Sequence, residues 1–210
     1  MNSRRSILAA MGMALPAAAV LAAGTKVDPS NPALLQCSRP GTGPQAARMP
    51  QVLVKDQDNR QFWFYENLVQ DKLVLISFAS VDGEKHYPVI DNLVKVQEMV
   101  GDRLGKDVFM YTVTTKPEID GSEQLKAFAA SKGANWQFLH GDPDSVRQIL
   151  RTFGVMGSAH GVAWVGNEKM GRWLRKPARL HPIFIAEAVS RLSIGKAHKP
   201  FLLDMRSARA

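Results

Sequence analysis

Leu73-Val74-Leu75-Ile76-Ser77-Phe78-Ala79-Ser80 is an unbroken apolar run of strand length, and together with the loop and helix behind it this run decides the architecture. A short run of this kind, rich in branched residues and free of charge, reads as a strand buried on both faces. Val81–Tyr87 is irregular. Pro88 then suits the first position of a helix, with Ile90, Leu93, Val94, Val100 and Leu104 recurring close to the helical period. The loop therefore lies at a helix N-terminus, where the aligned peptide dipoles favour an anion such as a thiolate.

Toward the N-terminus, Val52–Lys55 and Gln61–Tyr65 are strand-like and are joined by the turn Asp56-Gln57-Asp58-Asn59. Toward the C-terminus, Asp107–Thr114 reads as a further strand. Asp120 with Glu123 has the spacing of a capping box opening a helix to about Lys132, with Leu125, Phe128 and Ala129 inward and Gly133 as its stop. Trp136–Leu139 is a short strand. Asp142-Pro143 supplies cap and first position of a helix that buries Val146, Ile149, Leu150 and Phe153 and stops at Gly154. Gly161–Gly166 and Arg172–Arg175 pair as a hairpin, and a last helix runs from Pro182 to about Leu192 behind His181. Met99, Met110, Trp164 and Trp173 are expected in the core or on strand faces.

The resulting order is β-hairpin, β-α-β-α-β-α-β-β-α. It predicts an α/β chain of thioredoxin-like arrangement: a mixed central sheet with helices on both faces and an N-terminal β-hairpin.

The whole chain has 210 residues, 45% of them hydrophobic and 22% charged, which excludes a fibre, a disordered chain and a multi-span membrane protein. Its one cysteine, Cys37, excludes an intrachain disulfide, a thiolate zinc cluster and a CxxC redox site. Residues 1–23 have the layout of a twin-arginine export signal: Arg4-Arg5, then an Ala-rich uncharged run ending in small residues. An uncleaved N-terminal anchor is the alternative. Export places the protein in the periplasm, and loss of Arg4 and Arg5 lowers the formal charge from +8 to +6. Residues 24–48, rich in Pro, Gly, Ser and Ala, read as a flexible arm. Residues 49–195 form the domain, and 196–210 a basic tail. No other stretch is apolar enough to span a membrane.

Lys169, Arg172, Arg175, Lys176 and Arg179 cluster, without interleaved aromatics of a nucleic-acid motif. They read as a solvated positive face or as a docking surface for an acidic protein partner.

Several blocks, in order and spacing, resemble the Sco/SenC proteins. They are Met49-Pro50, Asp56-Gln57-Asp58, Phe64-Tyr65-Glu66-Asn67-Leu68, Lys72 to Phe78, Val108-Phe109-Met110-Tyr111, Lys116-Pro117-Glu118 and Trp136 to Gly141. The resemblance covers about residues 49–190. It implies a thioredoxin fold and an exported protein that binds copper and serves, as chaperone or thiol reductant, in assembling the copper centre of cytochrome oxidase. It also implies a CxxxCP loop and a distant histidine.

This chain departs at each of those positions. Pro88 matches the family proline, so Tyr87 stands at the second cysteine. The first falls on Gly83 by counting back, or on Val81 if Asp82-Gly83 is aligned with an acidic-Gly pair. Ala159 or its neighbour His160 stands at the histidine. A phenol, a methyl group or a glycine replaces neither a soft Cu(I) ligand nor an exchange nucleophile. The expected function is therefore non-catalytic: a binding factor in assembly of a periplasmic protein, with no cofactor. The alternative is copper carriage through substituted ligands, His86, His160, Met156 and Asp82. Asp82, Glu84 and His86 otherwise read as a polar loop, and Cys37 as an incidental thiol.

Overall fold

The computed structural model describes residues 41–155 and 161–194. Seven strands form one sheet: β1 (Leu53–Asp56), β2 (Gln61–Trp63), β3 (Leu73–Ala79), β4 (Val108–Thr114), β5 (Gln137–His140), β6 (Val162–Asn167) and β7 (Arg172–Pro177). Their spatial order is β2-β1-β5-β4-β3-β6-β7. The central strand β3 runs parallel to β4 and antiparallel to β6, and β5 is parallel to β4. Among the described residues four α-helices cover the sheet: α1 (Ile90–Val100), α2 (Ser122–Lys132), α3 (Pro143–Thr152) and α4 (Pro182–Ser193). The expected mixed sheet, helix count and element order are all present, and the arrangement is thioredoxin-like.

Side chains alternate along a strand, so β3 feeds two cores. Leu73 and Leu75 join Ile90, Leu93, Val96, Leu125, Ile185 and Val189 on the side of α1, α2 and α4. Val74, Ile76 and Phe78 join Phe64, Tyr65, Leu68, Val146, Ile149 and Phe153 on the other. All seven β3 residues are buried, as the uninterrupted apolar run requires. No helix among the described residues is long and apolar enough to cross a membrane.

Several expectations are corrected. Gln61–Tyr65 is not strand throughout: β2 stops at Trp63, and Phe64–Val69 make a π-helical turn that buries Phe64, Tyr65, Leu68 and Val69. α1 begins at Ile90, two residues after Pro88, and ends at Val100, leaving Leu104 in the connection to β4. Met99 is 51% exposed, because the buried stripe of α1 is Ile90, Leu93, Val96 and Val100 and Met99 lies beside it.

Asp120 and Glu123 make no capping box. The N-cap of α2 is Gly121, with no side-chain cap. The buried Asp120 carboxylate instead accepts from the Thr114 hydroxyl at 2.6 Å and from the Val81 amide at 3.3 Å, tying the loops after β4 and β3 together. By contrast, Asp142 caps α3 as expected, accepting from the amides of Asp144 and Ser145. His181 stands at the N-cap of α4.

Of the arm expected over residues 24–48, residues 41–48 are described and make ordered contacts with the domain. They form a strap across the π-helical turn and the β6–β7 hairpin. The Gln45 amide donates to Glu168 Oε1 at 2.8 Å. Gly43 lies so close to Tyr65 that a Cβ there would sit 2.1 Å from the phenol oxygen, a contact only glycine allows.

Candidate functional site

The carboxyl ends of β3 and β4 carry the loop that the sequence singles out, at the entry to α1. Ser80 closes β3. Its Oγ accepts from the Gly83 amide at 3.1 Å and its carbonyl from the Glu84 amide at 3.0 Å. The chain then makes a single 3₁₀ turn, Gly83–Lys85, with the Tyr87 amide donating to the Gly83 carbonyl.

A helix begins with unpaired amide hydrogens that need acceptors. α1 has Val89 at its N-cap, which offers no side-chain acceptor. Glu84 supplies it from six residues upstream. Its Oε1 accepts from the amides of Ile90 at 2.7 Å and Asp91 at 3.3 Å, and its Oε2 from Val89 at 3.0 Å. Glu84 is 4% exposed. Burial pushes its carboxyl above the ordinary glutamate range, and the three backbone donors only partly offset that. The positive end of the helix dipole thus already holds an anion from the chain itself.

The other loop residues take different places. Asp82 is exposed and pairs with Lys116 Nζ at 3.0 Å, and that hydrogen bond and charge hold its carboxyl below the ordinary range. His86 is exposed, as is Lys85. Val81 is half-buried, its amide bound to Asp120. Tyr87 packs against the core, with the Arg179 guanidinium 4.8 Å from its ring centre. A Cβ on Gly161 would lie 2.7 Å from the Tyr87 hydroxyl, so the phenol fills the gap between the loop and the start of β6.

The structure therefore brings Tyr87, Gly161 and Arg179 together, turns Glu84 onto the start of α1, and leaves Asp82 and His86 on the surface. Met156, Ala159, His160 and Cys37 lie outside the described residues. Among the described residues, no group of three His, Cys, Asp or Glu side chains is placed to hold a metal ion. Asp82 is committed to a lysine and Glu84 to three amides.

Two functional residues escape a reading of the sequence. Glu84 reads as one more member of the polar loop. The signal that could have found it is a helix start without Ser, Thr, Asp or Asn at its cap, preceded by one buried-capable carboxylate. Glu168 falls in a hairpin turn by sequence, yet it is fully buried. It accepts from the Tyr65 hydroxyl at 2.6 Å and the Gln45 amide on Oε1, and from the Trp173 indole at 3.0 Å on Oε2. Burial, then the Glu168 hydrogen bond and charge, push the Tyr65 phenol well above its ordinary range. Beside this network a cavity of about 340 Å³ opens between Phe153, Trp164, Trp173, Met49, Arg48 and Gln45.

Comparison with known proteins agrees with the family resemblance. The SCO1/SenC family model matches residues 88–170. No curated protein sequence matches the chain. Among solved structures, yeast Sco1 with copper bound is similar at a TM-score of 0.59 and 15% identity, covering 70% of this chain and 96% of that one. A SCO1/SenC family lipoprotein from Bacillus anthracis gives 0.57 and 17%, covering 70% and 95%. Bradyrhizobium japonicum ScoI with copper bound gives 0.53 and 17%, covering 67% and 94%. At these identities the structural likeness carries the fold.

Proposed function

We propose that this chain, a divergent Sco/SenC relative without the family's cysteine pair, is an exported, non-catalytic binding factor for assembly of a periplasmic protein. The observation that carries this reading is the Glu84 plug. In a thioredoxin-like site the N-terminus of the helix after the central strand stabilises a thiolate. Here its first amides are taken by a buried carboxylate. Lost cysteines alone would leave an open site. A site closed by the chain's own side chain has been rebuilt for another use.

What remains for recognition is the surface around the plug and the basic hairpin. Tyr87 and Arg179 join the two, and a protein partner with an acidic surface suits them better than nucleic acid. The copper bound to two of the similar structures motivates the competing reading, copper carriage through His86, His160 and Met156.

Copper titration of the purified protein separates the readings. Cu(I) and Cu(II) are tested separately, with His86→Ala and His160→Ala as controls. The expected result is binding no tighter than micromolar and indifferent to both substitutions. Tight one-to-one binding lost in both variants overturns the proposal in favour of copper carriage.

A further inference from the structure

We infer that β7 is a docking edge for an acidic, extended segment of a protein partner, which adds to the sheet as an eighth strand. The inference rests on the binding-factor reading and names its partner chemistry.

β7 closes one end of the sheet: among the described residues it pairs with β6 alone, in register from Arg172 opposite Asn167 to Pro177 opposite Val162. Its outer backbone groups are a template for another strand. From Lys169 to Arg179 the chain carries five cations and no carboxylate. Elsewhere on the surface Arg60, Arg103, Lys116, Lys126, Lys132, Arg147 and Arg191 are ion-paired with an aspartate or glutamate, while other cations such as Lys55, Lys85 and Lys95 are spread singly rather than clustered on one edge. No such pair joins Lys169, Arg175, Lys176 or Arg179 to a described carboxylate.

Four cations with no described carboxylate beside them suit an acidic complement. Charges and proline on an edge ordinarily repel other strands. They repel cationic and neutral edges, and they favour an acidic one.

The other edge of the sheet shows what a closed edge looks like. β2 has three residues, and beside it Arg60 pairs with Asp56 and Asp58, and Lys126 with Asp58. β7 has six residues and both of its faces are furnished. Leu174 joins the core on the α4 side, while Trp173 and, opposite Arg175, Trp164 flank the aromatic cavity on the other. An added strand with alternating side chains would meet Arg175 with an acid on that face, and one apolar side chain could enter the cavity.

The test uses the full chain and a fluorescein-labelled eight-residue peptide alternating Glu and Val, followed by anisotropy and by hydrogen exchange of residues 172–177. The proposal expects saturable one-to-one binding, slowed exchange along β7, and at least about tenfold weaker binding to the Arg175→Glu/Lys176→Glu variant. A peptide N-methylated at alternate residues, of equal charge, should lose most of the affinity because it cannot pair with the edge. Equal binding of the methylated peptide, equal binding of an eight-nucleotide DNA or of anionic vesicles, or no binding overturns it. Copper titration on the same preparation keeps the two readings apart: absent peptide binding without copper binding removes only the docking edge, whereas tight copper binding removes the reading beneath it.

Discussion

Two glutamates are buried among the described residues, and each does a different job. Glu84 faces only backbone donors, the first three amides of one helix. Glu168 gathers two side chains and one amide: Trp173 from its own hairpin, and Tyr65 and Gln45 from remote segments. The first completes a local structure that would otherwise be unsatisfied. The second fastens the strap 41–48 and the β6–β7 hairpin to the π-helical turn. A buried carboxylate is costly unless all its bonds are made, so both sites are sensitive, but in different ways.

The largest effect is expected for Glu84→Ala, which strands three amides at the entry to α1 and should cost about 3–4 kcal/mol in denaturant unfolding. Glu84→Gln keeps an acceptor but turns an amide donor toward a backbone N–H, so it should cost roughly half as much. Its penalty should also depend on pH. Because the folded-state carboxyl titrates above its unfolded value, the stability contributed by protonated Glu84 is full below the ordinary glutamate range. It falls as pH rises through the folded value. The gap between wild type and Glu84→Gln should therefore be wider near pH 4 than at pH 7. A gap that widens with rising pH would contradict the assignment.

Glu168→Gln comes next, at about 2 kcal/mol, since its amide must face one of the donors it now accepts. Tyr65→Phe removes a single bond and should cost about 1 kcal/mol. Both should raise hydrogen exchange and proteolysis within 41–48 while leaving the amides of Val89–Asp91 protected; Glu84→Ala should do the reverse. Equal effects on both regions would erase the distinction.

A smaller effect tests what the plug does to a thiol. In a Cys37→Ser background, Tyr87→Cys should titrate near the ordinary value of about 8.5. Adding Glu84→Gln should lower it by about one unit, as the competing negative charge at the helix terminus is removed. A low value with Glu84 intact would show that the carboxylate does not compete. Last, Lys116→Ala should leave stability unchanged within error, because its partner Asp82 is solvent-exposed.

Most of the fold is legible in the sequence because its signals are local. The apolar run of β3, the Asp142-Pro143 start and the order of strands and helices all read correctly from residue type and spacing. The errors arise where a polar residue is used at a distance. Asp120 has the spacing of a cap, but its side chain is spent across the loops on Thr114 and Val81. The strap reads as linker because its anchors, Tyr65 and Glu168, are remote in sequence. At the site, the missing thiols are plain from one cysteine in 210 residues. That a carboxylate has taken over the helix end is not, because a glutamate in a polar loop gives no sign of which way it turns.

The plug also bears on how such a chain can change by descent. A single mutation that places a cysteine at position 81, 83 or 87 meets a helix terminus already supplied with an anion. It confers little of the reactivity that selection could reward. Loss of Glu84 first would strand three amides and weaken the domain. Either order passes through a poorer protein, so the carboxylate acts as a ratchet against the gain of a thiolate at this helix end.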